Sequence, residues 1–134
     1  MKKQIANEWL KLAKDDLDCI ELIKEAKHLT NVIAFHSQQA IEKSLKAYLE
    51  FKNIKFSKIH SLERLFELSD LKLLLSEEEE ELIIKLDKLY IDSRYPGDLG
   101  LLPEGKPTIK DVIKFSNFAN YIYELISMKI KGEK

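Results

Sequence analysis

All three prolines and three of the four glycines of this chain fall between Ile91 and Pro107. The ninety residues ahead of that segment are almost free of backbone breakers, so only resets in the apolar pattern can divide them. A many-stranded sheet needs frequent turn residues, whereas long helices need few, and the chain therefore reads as all-α. Ile91 to Pro107 reads as one long loop before a last helix. Loops of that length inside compact domains are commonly functional.

From Gln4 to about Lys27, Ile5, Trp9, Leu12, Ala13, Leu17, Ile20 and Ile23 recur at intervals of three and four, which predicts one helix with these residues on its buried face. The pattern resets at His28, and Thr30 is placed to cap a second helix running to about Lys52 through Phe35, Ile41, Leu45, Tyr48 and Leu49. The two helices are expected to lie antiparallel. Asn53 to Ile59 reads as a connection, after which Ser61 caps a shorter helix carrying Leu62, Leu65, Phe66 and Leu68. Ser76 and Glu79 have capping-box spacing, and the acidic run Glu77 to Glu81 suits the positive end of a helix continuing through Leu82, Ile83, Leu86, Leu89 and Tyr90. Thr108 and Asp111 start a final helix bearing Ile109, Val112, Ile113, Ala119, Ile122, Ile126 and Ile130. Phe115, Phe118 and Leu125 widen its apolar surface, so it is either central in the bundle or shared with a second copy, and a homodimer is expected. Residues 1–134 then make one domain, an up-and-down antiparallel bundle of about five helices, large enough to bury a core without disulfides or metal.

The formal charge of −1 and the pI near 6.3 disfavour a broad basic surface for nucleic acid; RNA binding would need a local patch. Among 22 basic residues only Arg64 and Arg94 are arginines, so bidentate recognition of phosphate or carboxylate has two places to occur. Cys19 has no second cysteine to pair with and falls in an apolar stripe, where a buried thiol is expected. No apolar run approaches membrane-spanning length, and the charged amphipathic start is unlike a signal peptide; the expected location is the cytoplasm. Gly97, Gly100 and Gly105 form no phosphate-cradling fingerprint, and neither Cys19 nor any serine sits in a nucleophile elbow. Glu25 and His28 have the Glu-x-x-His spacing of carboxylate di-iron bundles, yet Ile33 and Ser57 stand where a second such pair would need glutamate ahead of His36 and His60. No metal and no cofactor are expected.

The anomaly is a set of polar residues on faces otherwise apolar. Asp16 lies one turn from both Leu12 and Ile20, and Gln38 and Glu42 lie between Phe35 and Leu45. An unpartnered buried carboxylate costs several kcal/mol, so Asp16 and Glu42 need hydrogen bonds, a cation, or water at a bundle edge. Arg94 is the candidate cation; together with Tyr95 and Lys43 it could supply a phosphate fork, a stacking ring and a point charge. Under slightly shifted helix boundaries the same polar side chains would simply face water. His36 reads as a hydrogen-bonded or surface histidine, and His60 as a residue that helps begin the third helix.

Phe35-His36-Ser37-Gln38-Gln39-Ala40-Ile41-Glu42-Lys43-Ser44-Leu45-Lys46-Ala47 resembles the second-helix signature of HEPN domains. Trp9, Ala13, Asp16 and Leu17 ahead of it, and His60-Ser61-Leu62, Leu89-Tyr90 and Arg94-Tyr95-Pro96 behind it, are similar to the family's other landmarks. The resemblance implies a helical bundle that commonly dimerises and is often encoded beside a minimal nucleotidyltransferase in toxin–antitoxin-like pairs. Some relatives bind nucleotides; others are metal-independent ribonucleases marked by Arg, four to six intervening residues, then His. Here Leu99, Gly100 and Leu101 follow Arg94 at those distances, and Ser69, Asp70 and Leu71 follow Arg64, so the nuclease motif is absent. The expected function is a nucleotide-binding or nucleotidyltransferase-partner module rather than an enzyme, with Asp16, Gln38, Glu42, Lys43, Arg94 and Tyr95 as the candidate binding residues. The alternatives are a ribonuclease with a non-standard site and a purely structural dimeric bundle.

Overall fold

The computed structural model describes residues 2–94 and 106–132, with the side chains of 91–94 excepted. Among the described residues there are five α-helices and no strand: α1 (Lys2–Ile23), α2 (Thr30–Phe51), α3 (Leu62–Ser69), α4 (Glu77–Arg94) and α5 (Ile109–Gly132). Two short 3-10 turns, Lys27–Leu29 and Leu71–Leu74, join α1 to α2 and α3 to α4.

Helices α1 and α2 form the backbone of the bundle and run antiparallel, since Asp16 meets Lys43 while the earlier Trp9 meets the later Lys46. Helix α5 packs along α2 and α1, and α3 and α4 close the remaining side of α2. Buried residues of all five helices join in one apolar core around Ile41, Leu45, Leu49, Leu65, Phe66, Leu86, Phe115 and Ile122. Phe66 of α3 and Phe118 of α5 stack with ring centroids 6.3 Å apart, tying the short helix to the last one.

The helix boundaries follow from caps written into the sequence. The Ser76 Oγ accepts from the Glu79 amide at 3.1 Å while the Ser76 amide donates back to the Glu79 carboxylate at 2.9 Å, a reciprocal capping box at the start of α4. Thr108 and Asp111 make the same exchange at the start of α5, at 3.0 and 3.1 Å. Ser61 caps α3 through the Arg64 amide. Helix α2 ends where Asn53 turns left-handed at φ 61°, with the Ile54 amide reaching the Leu49 carbonyl at 2.8 Å and the Asn53 amide reaching Glu50.

Several expectations need correction. Thr30 is not a cap: it is the first residue of α2, buried, and no side chain caps that helix, because the preceding 3-10 turn leads the chain in. The buried face of α1 is Ala6, Leu10, Ala13, Leu17 and Ile20, while Ile5 and Leu12 are exposed; the alanines let α2 approach closely and the seam is narrower than the apolar pattern. Phe35, also expected inside, is 37% exposed. Ile91 to Arg94 belong to α4 and not to the loop. The rest of the expected loop, residues 95–105, lies outside the described residues. Phe115 and Phe118 are buried inside the bundle, so the broad face of α5 is accounted for by its central position. No helix among the described residues is long and apolar enough to cross a membrane.

Candidate functional site

Successive turns of α2 carry Gln38, Glu42 and Lys46 on one side and His36 and Lys43 nearer α1. Asp16, Glu42, Lys46 and Gln38 are only 6%, 5%, 6% and 1% exposed, so the reading in which these groups face water does not hold. Desolvation of that order requires each group to be matched.

The matching is complete and divides into two clusters. Asp16 Oδ1 lies 2.8 Å from His36 Nδ1, and its Oδ2 accepts from Lys43 Nζ at 2.7 Å. Glu42 Oε1 accepts from Gln38 Nε2 at 3.1 Å, while Oε2 accepts from Lys46 Nζ at 2.9 Å and lies 3.2 Å from His60 Nδ1. Gln38 Nε2 also reaches the His60 carbonyl at 3.3 Å, and Gln38 Oε1 accepts from Gln39 at 2.7 Å. The Lys46 ammonium lies 5.5 Å from the Trp9 ring centroid and 5.9 Å from that of Phe56, adding cation–π contact to its ion pair. Each buried carboxylate thus holds one lysine and one imidazole nitrogen.

His60 is brought to Glu42 by the connection between α2 and α3, and that connection is anchored from α4. Asp87 accepts from the amides of Leu62 and Glu63 at 2.8 and 3.1 Å and from the Ser61 hydroxyl at 3.1 Å, so a side chain of α4 caps α3. Above the clusters four rings follow one another: His36 lies 5.4 Å from Phe35, Phe35 stacks on Tyr90 at 6.2 Å with planes 12° apart, and Tyr90 lies 6.4 Å from His60.

Asp16 and Lys43 are therefore brought together, and so are Gln38 and Glu42, in neighbouring clusters along α2. Arg94 was expected as the counter-ion to both carboxylates; among the described residues Asp16 pairs with Lys43 and Glu42 with Lys46. The Arg94 side chain and Tyr95 lie outside the described residues. Sequence reasoning left Lys46 out and took His60 only for a helix-start residue. The Glu42 to Lys46 spacing is that of a helical ion pair and could have found the former; nothing local joins His60 to Glu42. Among the described residues no group of three or more His, Cys, Asp or Glu could hold a metal ion. Grooves open between α1 and α5, lined in part by Lys14, Tyr123, Ser127 and Lys131, and contain none of the polar set.

The fold has a counterpart among known proteins. The structure is similar to that of an archaeal HEPN homologue, with 28% sequence identity, a TM-score of 0.68, and coverage of 93% of this chain and 97% of that one. No curated protein matches the sequence. The HEPN domain family model matches residues 6–130, a span that takes in both clusters from Asp16 to His60 and the ring of Tyr90, and the chain belongs to the HEPN family.

Proposed function

We propose that this HEPN domain is a nucleotide-binding module whose site is built on the α1–α2 seam around Asp16, Gln38, Glu42 and Lys43, with Arg94 and Tyr95 as the further candidate binding residues. The observation that supports this most is the burial of Asp16, Gln38, Glu42 and Lys46 in a small bundle. Replacing a buried ion pair with apolar groups is commonly neutral or stabilising, so two such pairs on one face point to a use other than holding the helices together. Titration of the full chain with ribonucleoside triphosphates, followed by calorimetry, tests the reading. Saturable binding that weakens in Arg94→Ala is expected. Absence of binding at millimolar nucleotide would overturn it.

A second reading makes the module a protein partner, specifically of a minimal nucleotidyltransferase in a toxin–antitoxin-like pair. It is supported by family membership together with the apolar side chains left outside the core, among them Leu73 and Leu74 in the turn before α4 and Ile84 within it. Co-purification with a nucleotidyltransferase encoded next to it is the expected result. We also propose that the protein forms a homodimer. Ribonuclease activity with a non-standard site has less support, because the Arg and His spacing of the nuclease branch is missing. RNA cleavage that survives chelation and is lost in His60→Gln would favour it.

A further inference from the structure

The two imidazoles share one arrangement that the nucleotide reading does not use. His36 and His60 each present Nδ1 to a carboxylate that is more than nine-tenths buried, and each of those carboxylates is also bound by a lysine. A carboxylate that accepts fixes the hydrogen on Nδ1, and the ring is then oriented with Nε2 as its remaining polar atom. Among the described residues neither Nε2 has a hydrogen-bond partner. Both side chains reach solvent, His36 at 24% and His60 at 50% exposure, so these nitrogens are available to a ligand while their anchors are not.

Between the two histidines lies the stacked pair of Phe35 and Tyr90, and Phe35 is the one large apolar residue of α2 that stays substantially exposed. An exposed aromatic face bounded by fixed imidazoles, with the Lys43 ammonium on the same stretch of α2, matches a ligand having one flat apolar part and several anionic or hydroxyl oxygens. A nucleoside phosphate has that composition.

We infer that His36 and His60 contact the ligand directly through Nε2, and that Asp16 and Glu42 are positioning residues acting through them. The base lies against Phe35 and Tyr90, and the phosphate and ribose oxygens take the imidazole Nε2 atoms and Lys43 Nζ. The inference rests on the nucleotide reading and specifies which atoms carry it.

The test uses the full chain, with ribonucleoside triphosphates, the matching nucleosides and inorganic phosphate as separate probes. His36→Gln and His60→Gln each remove one Nε2 from the exposed edge of the bundle and are expected to weaken triphosphate binding about ten-fold, the loss of one hydrogen bond to a charged group. Phe35→Leu is expected to weaken nucleosides and triphosphates alike, and inorganic phosphate not at all. Long-range proton–nitrogen spectra read the positioning role: the wild type is expected to show the Nδ1-protonated form at both rings, and Glu42→Gln to release His60 while His36 stays fixed. A role for Glu42 in stability alone would leave the His60 signature in place, which would overturn the positioning claim. Triphosphate binding that is unchanged in both folded histidine variants would overturn the inference while leaving the nucleotide reading intact. No binding of any nucleotide by the wild type would remove both. Should Glu42→Gln fail to fold, the two histidine variants still decide the contact claim.

Discussion

Glu42 places a charge where water hardly reaches, and its three partners, Gln38, Lys46 and His60, set what each substitution must cost. Glu42→Leu would strand the Lys46 ammonium between Trp9 and Phe56 and leave Gln38 without its partner; breaking a buried pair from one side costs about 3–5 kcal/mol. Lys46→Met should cost less, about 1–2 kcal/mol, because methionine keeps the contact with both rings and Glu42 retains Gln38 and His60. The double variant should recover much of the Glu42→Leu loss, since no unpaired charge remains. Urea unfolding of the four proteins gives the cycle, and additive losses would show that the pair is not coupled. Asp16, Gln38 and Glu42 were legible in the sequence because a polar residue in an apolar helical phase is conspicuous wherever it stands. Their partners distant in sequence were not, because Asp16 meets Lys43 across 27 positions and His60 meets Glu42 only once α3 has been docked.

Three of the four caps read from local spacing hold: Ser61, Ser76 with Glu79, and Thr108 with Asp111 act as their spacing predicts, while Thr30 does not. Asp87 acts across more than twenty residues to hold the start of α3, and no local pattern announces it. Its removal in Asp87→Ala leaves the amides of Leu62 and Glu63 without that acceptor and should cost about 1–2 kcal/mol, the upper range for a helix cap. Thermal unfolding of the variant checks this, and a melting temperature equal to the wild type would show that water replaces the carboxylate without loss. Asp111 allows a test by pH. The Thr108 amide, and then its hydroxyl, hold the Asp111 carboxyl below its ordinary value against the opposing effect of burial, helped by Lys85 and Lys114. A carboxyl depressed on folding contributes its stabilisation above the unfolded value and loses it as the pH falls through the folded one. The stability gap between wild type and Asp111→Ala should therefore be constant from neutral pH down to about 5 and close below about 4. A gap that persists undiminished at about pH 2 would mean that the charge is not what stabilises α5.

The molecule commits most of its large apolar surface to its own core: Phe66, Phe115, Phe118 and the buried isoleucines of α5 take up most of the broad face of that helix. The breadth of the pattern was legible in the sequence, but whether it meant centrality or a shared interface depended on which helices surround α5, and α2 and α1 do. A homodimer must therefore use what is left, and α5 leaves Ile109 and Ile113 about half exposed one turn apart near its start. Single exposed aliphatic residues are ordinary on a surface, but a pair stacked at helical spacing offers a second copy the same pair across a two-fold axis. Size-exclusion chromatography with light scattering at tens of micromolar should give twice the 15.6 kDa chain mass. Ile113→Glu sets like charges against each other at such an axis and should shift the population to monomer without loss of helix content, because that side chain is outside the core. A wild type that remains monomeric would remove the homodimer altogether. A dimer indifferent to Ile113→Glu would move the interface elsewhere, with the turn at Leu73 and Leu74 the next surface to alter.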